Sequence, residues 1–295
     1  MNFRNGKELL SYCEQENCSI SEAMIKREVE DIERPLEETM EKMHTAWDIM
    51  KKSVERSLTE DVRSMGGLIG GESKKINQLR EDGKNICGSV ISKAIAYAVG
   101  VLEVNASMGL IVAAPTAGSS GVMPGTMLAM QQEHGFSDEE IVKALFNASA
   151  IGYLVTRNAT TAGAEGGCQA EVGSASAMAA SAVVELMGGT PKQCLDAASF
   201  AIINLLGLVC DPVGGLVEFP CQLRNAQGAT TALTSAEMSL SGITCPAPID
   251  ETIDIMYSVG KAIPSELRET SLGGMATSKG ACSGCNMCQI GRAHV

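Results

Sequence analysis

The stretch "TPKQCLDAASFAIINLLGLV" (190–209) decides the fold class. Thr190 at the N-cap and Pro191 at the first helical position open a helix. The residues after them are nearly all apolar, which suits a helix inside a packed domain better than one on its surface. Gly188 and Gly189 close the preceding helix, expected over 170–187. Further out, Ser137 and Glu140 form a capping box ahead of "IVKALFNASAIGYLV" (141–155). Two more helical segments are expected over 225–242 and 250–263. Towards the N-terminus, Val29, Ile32, Leu36, Met40, Met43, Trp47, Met50 and Val54 recur at steps of three or four. They predict an amphipathic helix over 21–58 that Pro35 kinks or restarts. No alternating strand pattern and no internal repeat is present. The prediction is a mainly α protein, with one helical domain over 1–289. It has an N-terminal helix within 1–20, the apolar helix around 196–209 near its centre, and a cysteine-rich tail over 276–289.

The 295 residues leave room for a large core, yet aromatics are only 3% of them, so the core must be built from Ala, Val, Ile, Leu and Met. A net charge of −12 argues against nucleic acid or an anionic membrane as the partner. The opening "MNFRNGKELLSYCEQEN" is too polar for a signal peptide. The apolar stretch 88–114 is broken by Lys93, Glu103 and Asn105, and reads as a core helix plus loop rather than a membrane span. Eleven cysteines without an export signal point to the cytoplasm, where thiols stay free or bind metal.

Two glycine-rich loops interrupt the helices. "SMGGLIGGES" (64–73) must turn tightly, and "APTAGSSGVMPG" (114–125) sets Thr116, Ser119, Ser120 and Gly121 just before a helix. Backbone N–H groups and hydroxyls clustered at a helix start suit an anion such as a carboxylate, although serines there also serve as plain caps. Of the cysteines, Cys13, Cys18, Cys87, Cys194 and Cys245 read as small apolar fillers or surface thiols. Cys168, Cys210 and Cys221 are different, because each adjoins a turn-rich segment beside a helix: "AGAEGGC", "CDPVGG" and "EFPC". Their spacings of 42 and 11 residues alone do not separate a metal site from three unrelated thiols. None of His44, His134 and His294 is near them, which favours iron–sulfur over zinc if a metal is bound.

Four segments carry a resemblance: "EVNASMGLIVAAPTAGSSGVMPG" (103–125), "GAEGGCQAEVGSASAMAA" (163–180), "CDPVGGLVEFPCQLRNA" (210–226) and "ETSLGGMA" (269–276). They resemble the α chain of iron–sulfur-dependent L-serine dehydratase, a carbon–nitrogen lyase, over about residues 20 to 277. The resemblance implies a 4Fe-4S cluster held by Cys168, Cys210 and Cys221, a separate β chain, and a cytoplasmic role in amino-acid degradation and gluconeogenesis. Three thiolates on a cubane leave one iron without a protein ligand, free to act as a Lewis acid on the substrate hydroxyl. A base takes the α-proton, water leaves, and the enamine tautomerises to an imine that hydrolyses to pyruvate and ammonia. The loop carrying Thr116, Ser119, Ser120 and Gly121 is the expected site for the serine carboxylate, with 65–71 as a second choice. Glu165, Glu171, Asp211 and Glu218 flank the thiols and are all open as the base, or as groups that tune the cluster's surroundings. Arg224 and Asn225 are open between meeting the substrate and neutralising Glu218.

The competing readings are a desulfidase-like lyase acting on L-cysteine and a non-catalytic iron–sulfur sensor. A pyridoxal-phosphate enzyme is a further reading, but no lysine has a convincing Schiff-base setting. "CSGCNMC" (282–288) begins a ferredoxin-like run in Cys282, Cys285 and Cys288. It reads as a second metal site, a mobile thiol near the cluster, or a loose thiol-rich end. The final "QIGRAHV" back-translates into the start of a common sequencing adapter, so residues 290–295 are read as an artefact and set aside.

Overall fold

The computed structural model describes residues 3–290, which include no β-strand. The helices are α1 (Gly6–Glu16), α2 (Ile20–Glu30), α3 (Leu36–Thr59), α4 (Glu72–Glu81), α5 (Gly88–Ala106), α6 (Val122–His134) and α7 (Asp138–Asn158). They continue with α8 (Gly163–Gly166), α9 (Ser174–Leu186), α10 (Pro191–Leu205), α11 (Cys221–Leu240), α12 (Ile249–Ala262), α13 (Lys279–Gly284) and α14 (Asn286–Ile290). The 290–295 reading falls almost wholly outside the described residues.

The helix starts follow their caps. Ser19, Ser137 and Thr190 each form a capping box, with Glu22, Glu140 and Gln193 as the reciprocal partners. Pro35 restarts rather than kinks the N-terminal pattern: α2 stops at Glu30 and α3 begins directly after the proline. Trp47 is wholly buried and donates its Nε1–H to Asp138 at 2.8 Å, tying α3 to the first turn of α7.

The centre of the domain differs from the expectation. The stretch around 196–209 ends as a helix at Leu205, and Ile203 on α10 is exposed. The central position belongs to α9, on which every residue from Ser174 to Val184 is buried. Helices α6, α7, α10 and α11 pack around it. The physical reason is side-chain size: "SASAMAASA" (174–182) lets neighbours approach from all sides, whereas α10 carries larger side chains and leaves Ile203 and Asn204 exposed. Helix α5 is the second spine; it packs on α3, α4, α6 and α11, and its residues Ala96–Val104 are all buried.

Two long connections cross the end of this bundle, 206–220 and 263–278. They meet where Cys210 N donates to Leu267 O (2.8 Å) and Glu269 N donates to Cys210 O (2.6 Å). All three thiol segments are at this end.

Candidate active site

Cys168 precedes a π-helical turn, Gln169–Gly173, that runs into α9. Cys210 lies in the connection after α10, and Cys221 is the first residue of α11. All three are free thiols and are buried. Burial pushes each pKa up, that of Cys221 to about 12, and the thiols act on one another: Cys210 is raised further by Cys168 and Cys221, and Cys168 by Cys221. The segments thus bring the three sulfurs into one electrostatic neighbourhood. The Arg224 guanidinium works in the opposite direction on Cys168 and Cys221.

Buried thiols driven up in this way become thiolates only beside a cation, which a metal centre supplies. Among the described residues no three His, Cys, Asp or Glu side chains converge as a single ion requires. Three buried thiols with no histidine among them are a donor set that suits an iron–sulfur cluster better than one zinc ion.

The four carboxylates that flank the thiols in sequence have different surroundings. Glu165 is exposed on α8. Asp211 accepts from Arg224 Nη2 at 2.5 Å and from the Met275 N–H at 2.6 Å, which pins the segment containing "ETSLGGMA" to the Cys210 loop. Glu218 accepts from Ser64 Oγ (2.7 Å), Gly66 N (2.6 Å) and Leu68 N (3.2 Å). The 65–71 loop does cradle a carboxylate, but one supplied by the chain itself. Glu171 is the one that faces both the thiols and the other glycine loop. Thr116 Oγ1 donates to its Oε1 at 2.9 Å, and Cys210 Sγ stands 3.7 Å from its Oε2. A methyl at Gly118 would stand 2.9 Å from Oε1, and one at Gly163 2.8 Å from Oε2 and 3.0 Å from Cys210 Sγ. A side chain at either place would have to displace the Glu171 carboxylate. Burial raises the Glu171 pKa, against the Thr116 hydrogen bond.

The Thr116–Gly121 segment makes a 3-10 turn over Ala117–Ser119. Ser120 Oγ donates to Ala117 O at 2.8 Å, and the hydroxyls of Thr116 and Ser119 are 3.1 Å apart. Ser119, Ser120 and Gly121 are buried, while Thr116 is half-buried at the turn's opening. Arg224 donates to Val209 O (2.7 Å) as well as Asp211, so its contacts are with the Cys210 loop and Cys168 rather than Glu218. Asn225 is turned towards the 3-10 turn.

The family model described as Serine dehydratase alpha chain matches residues 15–276. The chain belongs to that family. A Bacillus subtilis relative named probable L-serine dehydratase, alpha chain, is 47% identical over 276 residues, covering 94% of this chain and 92% of that protein. The L-serine dehydratase alpha chain of Peptoniphilus asaccharolyticus is 44% identical over 277 residues, covering 94% and 95%. A longer Streptomyces coelicolor protein named L-serine dehydratase is 36% identical over 284 residues, which are 94% of this chain but 61% of that one.

The tail, for which the sequence left open a second metal site, a mobile thiol near the cluster and a loose end, is docked on the domain. Asn286 N donates to Gly66 O at 2.9 Å, and Cys285, wholly buried, is placed with its Sγ 2.9 Å from where a Gly214 methyl would be. Cys288 Sγ would be 3.5 Å from the same point, and burial with its neighbours Cys282 and Cys285 raises its pKa to about 12. The tail thiols therefore lie against the loop that joins Cys210 to Cys221.

Proposed function

We propose that this chain is the α chain of an L-serine dehydratase, eliminating water from L-serine to give pyruvate and ammonia. The observation that carries the reading is its match, over 94% of its length, to alpha chains of that name, together with a buried thiol trio that shares one carboxylate with a hydroxyl-bearing turn. Cys168, Cys210 and Cys221 hold a 4Fe-4S cluster, which when bound supplies a Lewis acid to the substrate hydroxyl at an iron lacking a protein ligand.

The chain's own residues do the rest. Glu171 is the base: burial keeps its basicity above that of an ordinary carboxylate, and Thr116 orients the oxygen that takes the α-proton. The open end of the turn, at half-buried Thr116 and exposed Ala117, receives the serine carboxylate, with Ser119 buried beneath it. Ser120 and Gly121 form the frame behind them, through Ala117 O and Asn225. Asp211, Arg224 and Glu218 fix the Cys210–Cys221 loop to its neighbours and keep the thiols in place. The enamine that leaves the site tautomerises and hydrolyses in water.

A β chain completes the enzyme, because two relatives spanned by this chain are named as alpha chains and the Streptomyces protein extends well past it. The eleven cysteines are all free, which suits the reducing cytoplasm. The test is anaerobic purification with a co-expressed β chain, followed by iron and sulfide analysis and assays of pyruvate from L-serine and from L-cysteine. Iron-loaded protein that turns over serine is expected; loaded protein inert towards serine would overturn the reading.

A further inference from the structure

Asn225 lies one turn into α11 from Cys221 and is wholly buried. Its Oδ1 accepts from the Gly121 N–H at 2.9 Å, and its Nδ2 donates to Gly118 O at 2.7 Å and to Cys221 O at 2.9 Å. The carboxamide thus uses its oxygen and both N–H donors. The Gly121 N–H is at the start of α6, where no carbonyl of the helix itself can serve it. A side chain more than 100 positions away in the chain provides the cap.

The turn's internal hydrogen bonds, Ser120 Oγ to Ala117 O and Ser119 Oγ to Thr116 O, fix its shape. They do not fix its place relative to the thiols. Two contacts do that, one on each side. Thr116 ties the turn to Glu171 and so to Cys210, while Asn225 ties Gly118 and Gly121 to the Cys221 end of α11.

We propose that Asn225 is a positioning residue for the dehydration: it sets the register of the carboxylate-binding turn against the thiol-bearing end of α11, so that one serine reaches the turn's open end at Thr116, Glu171 and the cluster together. This rests on the function proposed above. Loss of the tie leaves the thiols and the base intact but lets the turn slide. Misplacement of a bound substrate by about 1 Å lowers turnover on the order of a hundredfold.

The experiment compares wild-type holoenzyme, purified anaerobically with its β chain, with N225S and N225D. Serine is too short to span both segments; aspartate keeps the shape and the Gly121 acceptor but sets a carboxylate against two carbonyl oxygens. Iron and sulfide content, the melting temperature, kcat and KM, and the serine concentration that half-saturates the change in the visible spectrum are measured. The expected result for N225S is wild-type iron content and a cooperative melt, with kcat/KM down roughly a hundredfold and the spectral half-saturation shifted upward with KM. Unchanged kinetics, or kinetics that fall only in proportion to lost iron, would overturn the proposal. If N225S does not accumulate, the same criteria apply to N225D; if neither accumulates, Asn225 serves folding and the proposal falls. A wild-type enzyme that is loaded but inert would sink the serine dehydratase reading instead, before either variant is measured.

Discussion

Glu103 is a buried carboxyl at the α4–α5–α11 junction, and replacing it by glutamine should make stability much less sensitive to pH. Its Oε1 accepts from the Ser73 N–H at 3.0 Å and from Gln222 Nε2 at 3.3 Å, its Oε2 has no partner, and Glu72 is beside it. Burial, and then the neighbouring Glu72, raise its pKa from 4.5 to about 7. A carboxyl with a raised folded pKa binds its proton more tightly in the native state. Its stabilising contribution is therefore full below pH 4.5, declines from there and is lost once pH passes 7. The shift corresponds to about 3 kcal/mol between the two ends of that window. Glutamine keeps the oxygen that accepts from Ser73 and Gln222, and puts an uncharged NH2 where the ionised carboxyl would carry charge beside Glu72. Glu103→Gln should match wild type near pH 5 and exceed it by about 1–3 kcal/mol at pH 8. The assay is anaerobic urea unfolding of both proteins across pH 5–8. Parallel curves would refute the reasoning, because they would mean that Glu103 titrates normally or that the pair relaxes on ionising.

Glu171→Gln should leave iron and sulfide content unchanged while pyruvate formation falls roughly 10²- to 10⁴-fold, the range for a lost general base; full activity would return the role to another group. Replacing Cys168, Cys210 or Cys221 singly by Ala should abolish the brown colour and turnover together, and a variant retaining full iron would remove that residue from the ligand set. Glu218→Gln sets an amide against one of the donors of the 64–68 loop, so unfolding free energy should drop by about 2 kcal/mol and the Gly66 and Leu68 amides should exchange faster. Unchanged exchange at those amides would mean the loop holds itself.

Local signals in the sequence carried the helix starts. Ser137 with Glu140 and Thr190 with Pro191 specify their caps within four residues, and the structure has both. Which helix is central was not local information. The alanine–serine run on α9 lets neighbours approach on every side, and the larger side chains of α10 do not, a difference that only the packed neighbours reveal. The π-helical turn after Cys168 and the Cys210–Arg268 bridge left no pattern in the string, because the first is one turn long and the second pairs segments far apart in the chain.

The carboxylates make the same point at the site. In the sequence Glu165, Glu171, Asp211 and Glu218 are equivalent, each within a few residues of a thiol. Their partners separate them. Asp211 and Glu218 are occupied by donors from 64–68, 224 and 275, none of which spacing could assign to them. Glu165 faces away into solvent. What remains is a carboxylate set between two glycines, where any side chain would push against it, with a hydroxyl on one oxygen and a thiol near the other. Gly118 and Gly163 were the only trace of it in the sequence, and they look like ordinary loop glycines until the side chain between them is known. In the role proposed for it, a carboxylate held this tightly has little freedom to reach for its substrate. The substrate must be brought to it, which is why the register of the Thr116–Gly121 turn, and not the acidity of Glu171 alone, should set the rate.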